Sequence, residues 1–322
     1  MRKLLFTIVV LTVVLMFGGC QQQAEPVEMN VAYLPGPTAL TMLQLAHDKP
    51  DFGENITVNY EMVPATNVMM GKLTAEELDL AVIATNQAAM LYNKGTEYQI
   101  AAPSVWGALY LVGSEDLADA KELAGKEIVL IGKGLAPDIM IRDLLTKNGL
   151  DPDKDVVLTY LSGPQELLQS VIAKRYNLAV LPEPLATTAM IKNTELKRVL
   201  DFQEEWQELT GKESYPQASL VVSKAFADEH PELVADFLEK YQASIEWANA
   251  NPEELGAYAE ELEIGLAAAV VKKSVAASNL KYSLASDVKD EIDAYFQALY
   301  EIIPESVGGK LPDENIYYNV EK

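Results

Sequence analysis

Val-Ala-Tyr-Leu-Pro-Gly-Pro-Thr-Ala-Leu-Thr-Met-Leu-Gln-Leu, residues Val31 to Leu45, decides how the chain is organised. Its first four residues form an apolar run suited to a buried strand. Pro35-Gly36-Pro37 stops that strand, and Leu40, Leu43 and Leu45 then fall close to one helical face. Pro37 suits a first helical turn, where its missing N–H is no loss. The free N–H groups of Thr38 to Leu40 are therefore expected to point back over the strand end, where a small polar ligand can be held. The pattern recurs about a hundred residues later. Glu127 to Ile131 is an apolar strand, Gly132 to Pro137 a loop, and Ile139 to Leu145 a helix. Two such units suggest two domains facing one cleft.

Outward from these units, strand and helix alternate. Ile56 to Val63, Leu80 to Ala84 and Tyr98 to Ala102 read as strands, with helical spacing between them, which argues for an α/β fold with a mostly parallel sheet. The extended runs Val105 to Val112 and Tyr215 to Val222 are long enough to cross from one domain to the other and back. Beyond Val222 the pattern is almost entirely helical. Leu233, Val234, Phe237, Leu238, Tyr241, Ile245 and Ala248 recur at three and four spacing after Pro231.

The first 19 residues are not expected to belong to the fold. Arg2 and Lys3 precede an apolar run from Leu4 to Phe17, roughly 14 residues and short of the ~20 that span a bilayer. Cys20 is the single cysteine, so no intrachain disulfide or thiol-built metal site can form. Its position after Gly18-Gly19 resembles a bacterial lipobox, which implies cleavage before Cys20 and acylation of it. Residues 20–28 then read as a flexible tether. The formal charge of -23 becomes -25 once Arg2 and Lys3 are lost, and phosphate backbones are repelled, so nucleic acid is excluded as a partner.

Taken together, Gly36-Pro37-Thr38-Ala39-Leu40, Leu123-Ala124-Gly125-Lys126 with Gly132-Lys133-Gly134, Leu181-Pro182-Glu183-Pro184 and His230-Pro231-Glu232-Leu233 resemble the bacterial nitrate/sulfonate/taurine group of ABC-transporter substrate-binding proteins. The resemblance runs from Val31 to about Tyr318. It implies an α/β, periplasmic-binding-protein type II fold: two α/β lobes joined by two crossing strands, with the helical C-terminal region packed on lobe 1. Lobe 1 would be residues 29–106 and 217–322, and lobe 2 residues 107–216. It also implies a small-molecule ligand, a partner permease with its ATPase, a lipid anchor in the membrane, a monomeric protein and no cofactor.

Ligands of open α/β sheets bind beyond the carboxyl ends of the strands. That rule puts Pro37, Thr38, Thr85, Asn86, Lys133, Gly134, Ser162, Gly163 and Glu183 on the cleft walls, with Trp106 as a stacking face. Each also has a structural reading: Thr85 and Asn86 could cap a helix, Trp106 could be hinge core, and Glu183 could pair with a nearby lysine instead of a ligand N–H. Helix N-termini at Thr38 and Pro137 with Lys133 suit an anion such as a sulfonate. Glu183, Asn86 and Trp106 suit a flat nitrogen heterocycle such as a pyrimidine, and a carboxylate in the cleft tips the choice towards the heterocycle. Pyrimidine-synthesising enzymes resemble this family but rely on histidine and cysteine chemistry. Here His47 and His230 both lie at helix ends, and no nucleophile elbow, metal-ligand spacing or phosphate loop is present. A binding protein is expected rather than an enzyme, with a ligand sensor as the alternative.

Overall fold

The computed structural model describes residues 25–320. The expected signal segment and Cys20 lie outside the described residues. Two five-stranded sheets organise the chain. The first contains β1 (Val27–Tyr33), β2 (Ile56–Met62), β3 (Leu80–Ala84), β4 (Tyr98–Trp106) and β10 (Pro216–Ser223), in the order β2-β1-β3-β10-β4. The second contains β5 (Leu109–Gly113), β6 (Glu127–Ile131), β7 (Val157–Leu161), β8 (Leu178–Pro182) and β9 (Lys197–Asp201), in the order β7-β6-β8-β5-β9. The two orders are the same pattern. In each, a strand entering from the other half (β10 or β5) pairs antiparallel with both neighbours, while the remaining strand pairs are parallel.

Both sheets are covered on both faces, and the period-two alternation of side chains shows how. In β1 and β3, Val31, Tyr33, Leu80 and Val82 face one apolar cluster while Ala32, Ala81 and Ile83 face another. In β6 and β8, Ile128, Leu130, Leu178 and Val180 separate in the same way from Val129, Ala179 and Leu181. Strands buried on both faces lose the polar positions that would otherwise alternate with apolar ones, so they read as continuous apolar runs.

The helix that follows β1, α1 (Pro37–Asp48), is buried on more than one face: Ala39, Leu40, Met42 and Leu43 have no exposure. The sheet covers one side. The long α9 (Pro231–Ala250) and α10 (Pro252–Glu261) cover the other, with Phe237, Tyr241 and Leu255 in the same cluster. Each buried leucine contributes about 2 kcal/mol. Tyr241 Oη donates to Thr41 Oγ1 at 2.8 Å, and Ser244 Oγ donates to Thr41 O at 3.3 Å, fixing the rotation of α1 against α9.

Four details differ from the expectation. Val27 and Glu28, read as the end of the tether, already belong to β1, where Val27 pairs with Ile56. The run Val105 to Val112 is not one strand: it breaks at Gly107, whose φ is +49°, so β4 stays in the first sheet and β5 starts in the second. The expected return strand lies wholly in the first sheet, and the chain crosses over residues 211–215, before it. The polar stretch from Ser114 to Gly125, whose composition alone reads as a helical connector between the two halves, forms only a short 3-10 turn over Ala120–Leu123, capped by the Asp119 side chain.

Candidate functional site

The carboxyl ends of strands from both sheets meet at a cavity of about 210 Å³. Leu34, Pro35, Pro37 and Thr38 come from the β1–α1 loop, and Ala84 ends β3. From the second half come Pro182 at the end of β8, Leu109 at the start of β5, and Ala136, Pro137 and Met140 from α4 (Ala136–Lys147). Tyr215, Gln217 and Ala218 line it from the returning segment, and Tyr295 from α12 (Lys289–Ile302). The walls are mainly apolar, and no lining side chain carries a formal charge.

Two helices begin at this cavity, and local sequence explains both. Gly36 is the residue before α1, with φ +107°, and Leu135 precedes α4. Each helix has a proline in its first turn and no side-chain cap. Backbone N–H groups at such ends are left for solvent or ligand, and the aligned peptide dipoles favour an acceptor there. Thr38 is buried, and its hydroxyl donates back to Leu34 O at 2.6 Å, which fixes the loop rather than reaching outward. Asp138, in the first turn of α4, is held by its own half: Arg142 Nε at 2.8 Å, Tyr160 Oη at 2.7 Å and Gly134 N at 2.7 Å all donate to it. Burial, then the hydrogen bond to Asp138, pushes the Tyr160 phenol up to about 12.

Tyr215 and Tyr295 form the back of the cavity. Their rings stack with centroids 5.5 Å apart and planes 21° from parallel, and Trp206, from α7 (Phe202–Thr210), meets Tyr215 edge-on at 5.5 Å. Both tyrosines are fully buried, and neither hydroxyl has a hydrogen-bond partner; the same holds for Gln217 Oε1. Burial raises both phenol pKa values, so both hydroxyls stay protonated at neutral pH.

The expected site residues divide. Pro37 and Thr38 line the cavity. Thr85 is fully buried, with Oγ1 2.8 Å from Ser219 Oγ of β10, and Asn86 Nδ2 donates to Ser306 O at 3.0 Å, so both are tied into the first half. Neither caps a helix: α3 (Thr85–Asn93) begins after Ala84 with no side-chain cap. Trp106 Nε1 donates to Lys281 O at 2.9 Å, and its ring lines a different cavity, of about 340 Å³, beside the crossing point. There Ser214 Oγ and Asn279 Nδ2 both donate to Gln203 Oε1, at 2.9 and 3.1 Å, so those polar groups satisfy one another. Lys133 is exposed and sits over the Tyr160 ring, 5.4 Å from its centroid, next to Gly134. Ser162 is exposed, its N–H and hydroxyl both donating to Glu166 Oε2, and Gly163 precedes α5 (Pro164–Ile172). Glu183 is buried and meets an arginine where a lysine was expected: Arg198 Nη2 and the Thr187 N–H and hydroxyl all donate to it. Its neighbour Pro182, not Glu183, lines the cleft cavity. Tyr215, Gln217 and Tyr295 escaped the sequence reading. Tyr295 sits in a helix whose apolar spacing looks like plain core, and Tyr215 precedes a strand.

Among the described residues no group of three His, Cys, Asp or Glu side chains could hold a metal ion, and no helix is long and apolar enough to cross a membrane.

No curated protein sequence matches the chain. Among solved structures it is similar to an ABC transporter protein from Parabacteroides distasonis, at 27% identity over 91% of this chain and 99% of that one, with a TM-score of 0.79. The periplasmic aliphatic sulphonate binding protein SsuA of Escherichia coli shares 14% identity over 92% of this chain and 94% of its own, with a TM-score of 0.74. The alkanesulfonate-binding protein SsuA of Xanthomonas axonopodis pv. citri, bound to MOPS, shares 16% over 90% and 96%, with a TM-score of 0.66. The model of the NMT1-like family matches residues 22–262. With two like-patterned sheets closing on one cavity, the chain has the periplasmic-binding-protein fold, and it belongs to the NMT1-like family.

Proposed function

We propose that this protein is the extracytoplasmic solute-binding component of an ABC importer, capturing a small molecule in the cavity between its two sheets and delivering it to a membrane permease. The observation that carries this is the cavity itself: strand ends and helix N-termini from both halves converge on one small, mainly apolar space. Ligand sites are of this kind, apolar with a few placed polar groups, though 210 Å³ is below the usual range of roughly 300–1,000 Å³. The ligand is accordingly compact. The similar structures named as ABC-transporter and sulfonate-binding proteins support the importer reading. The two lobes we assign are residues 29–106 with 217–322, and residues 107–216, supported by β4 and β5 lying in different sheets.

A sulfonate-type anion is the second reading for the ligand, favoured by the two uncapped helix N-termini. Glu183 does not oppose it, since Arg198 neutralises that carboxylate. A flat nitrogen heterocycle keeps its support from the apolar walls. Anchoring through an acylated Cys20 places the protein on the outer face of a membrane beside its permease. The test is reconstitution with the neighbouring permease and ATPase in vesicles. Ligand-loaded protein should stimulate ATP hydrolysis. A protein that binds its ligand yet never stimulates the ATPase would be a sensor.

A further inference from the structure

Three hydrogen bonds tie the short stretch Ala277 to Asn279, far along the chain, to the second half of the molecule. Tyr110 Oη of β5 donates to Ala277 O at 2.8 Å. Asn279 Nδ2 donates to Gly107 O at 3.2 Å and to Gln203 Oε1 of α7 at 3.1 Å. The same stretch is fastened to the first half, where Asn279 O accepts from the Trp106 N–H at 3.1 Å and Leu280 O accepts from Asn249 Nδ2 of α9 at 2.8 Å. Its apolar side chains divide likewise: Val275 and Leu280 join the cluster around α1 and α9, and Ala277 packs against the cluster of the second sheet. Asn279 stands at φ +46°, in the left-handed region that few residues besides asparagine and glycine tolerate. Two ion pairs cross the same seam in opposite senses, Lys212 to Glu291 at 4.0 Å and Lys281 to Glu213 at 3.9 Å. Both are partly exposed and contribute little, so the weight falls on the hydrogen bonds.

We infer that residues 277–279 are a clasp, a third link beside the two chain crossings, which holds the halves closed over the cavity before any ligand arrives, and that Asn279 is its positioning residue. The crossings at Gly107 and over residues 211–215 are covalent and survive any rotation of one half against the other. The three bonds of the clasp join parts distant in sequence, so parting the halves exchanges them for bonds to water. Each then contributes only its small net worth, which is enough to set the balance between two arrangements of similar energy and too little to prevent opening. The clasp rests on the two-lobe reading of the fold. Its test reads geometry alone, whereas the importer reading is judged by ATPase stimulation, so either can fail without the other.

The experiment measures the distance between the halves by pulsed electron spin resonance, with spin labels on Ala65→Cys and Gln165→Cys in the ligand-free chain from Gln21, which holds no other cysteine. These exposed positions follow β2 and β7, the sheet edges farthest from the crossings. The expected result is one short distance in this parent. Asn279→Gly keeps the left-handed turn and removes the amide, and it should raise the ratio of open to closed molecules about 10-fold. Tyr110→Phe removes the third bond from the other side and should shift the ratio in the same direction by less. Asn93→Ala is the control: it also removes two amide donations, to Val307 O and Lys310 O, but both lie within the first half, so the distances should stay as in the parent. Circular dichroism confirms that each variant is folded. A parent already open, distances unchanged in both Asn279→Gly and Tyr110→Phe, or an equal shift in Asn93→Ala overturns the inference.

Discussion

Arg198 of β9 reaches across the intervening β5 to the buried carboxylate of Glu183 at the end of β8, while Thr187, one turn along α6 (Leu185–Lys192), donates to the same carboxylate from its N–H and hydroxyl. The acid between two prolines is thus a tie between the end of β8, the start of α6 and β9. Breaking a buried pair by removing one partner leaves an uncompensated charge, at a cost of about 3–5 kcal/mol, lessened here because Arg198 is partly exposed. Glu183→Gln should lower stability by roughly 2–3 kcal/mol and leave ligand affinity nearly unchanged in the folded fraction. Denaturant titration and calorimetry together check this; unchanged stability with lost binding would put Glu183 in the ligand site.

Gly107 marks where the chain leaves the first sheet. Its φ of +49° lies in the left-handed region, and a Cβ there would come within 2.8 Å of Gln203 Cβ and Oε1 and 3.0 Å of Ser214 Oγ. Gly107→Ala should destabilise by about 1–3 kcal/mol through strain and overpacking. The denaturation midpoint is the measurement, and an unaltered midpoint would mean that the crossing relaxes freely.

His47, at the end of α1, sets a pH dependence. Its Nδ1 lies 2.7 Å from Asp48 Oδ1 and its Nε2 2.9 Å from Glu261 Oε2 of α10, and carboxylates only accept, so both nitrogens must carry protons. The hydrogen bonds to Asp48 and then Glu261 raise its pKa above the ordinary 6.5. A raised histidine pKa gives stability that is fully present below about 6.5 and is lost as pH rises through the folded value. The difference in melting temperature between wild type and His47→Ala should therefore be larger at pH 6 than at pH 9. A difference that does not change with pH would contradict the bridge.

Acylation at Cys20 predicts that Cys20→Ser moves the protein from the membrane fraction to the soluble fraction and removes the mass of the acyl chains, because a protein without multiple chains is held weakly. Retention in the membrane with unchanged mass would remove the anchor from the account.

The fold was legible because each strand buried on both faces leaves an apolar run, as in Leu80 to Ala84, and each glycine-proline loop marks a strand end, as at Pro35-Gly36-Pro37. The site was less so. Sequence spacing identifies strand ends, yet it carries no record of which polar side chain meets which partner. Asn86 could be engaged by Ser306, 220 positions away, and Glu183 by Arg198, only once the chain had folded. The tyrosines at the back of the cavity gave no signal, because a phenol with a free hydroxyl and a phenol in a core occupy the same apolar position in a pattern.

The central claim is that the cavity between the sheets captures the ligand, and filling it tests that most directly. Ala136, at the first turn of α4, lines the cavity, and Ala136→Trp should occupy much of its 210 Å³. A metabolite is first found by thermal-shift screening of the soluble form beginning at Gln21, where a ligand at 100 times its dissociation constant stabilises by about 2.7 kcal/mol. That metabolite is then titrated calorimetrically into wild type and the folded Ala136→Trp variant. The account predicts tight binding to wild type and a loss of at least about 100-fold in the variant, on the order of 2.7 kcal/mol. Equal affinity in the two proteins would contradict it and move the ligand site elsewhere.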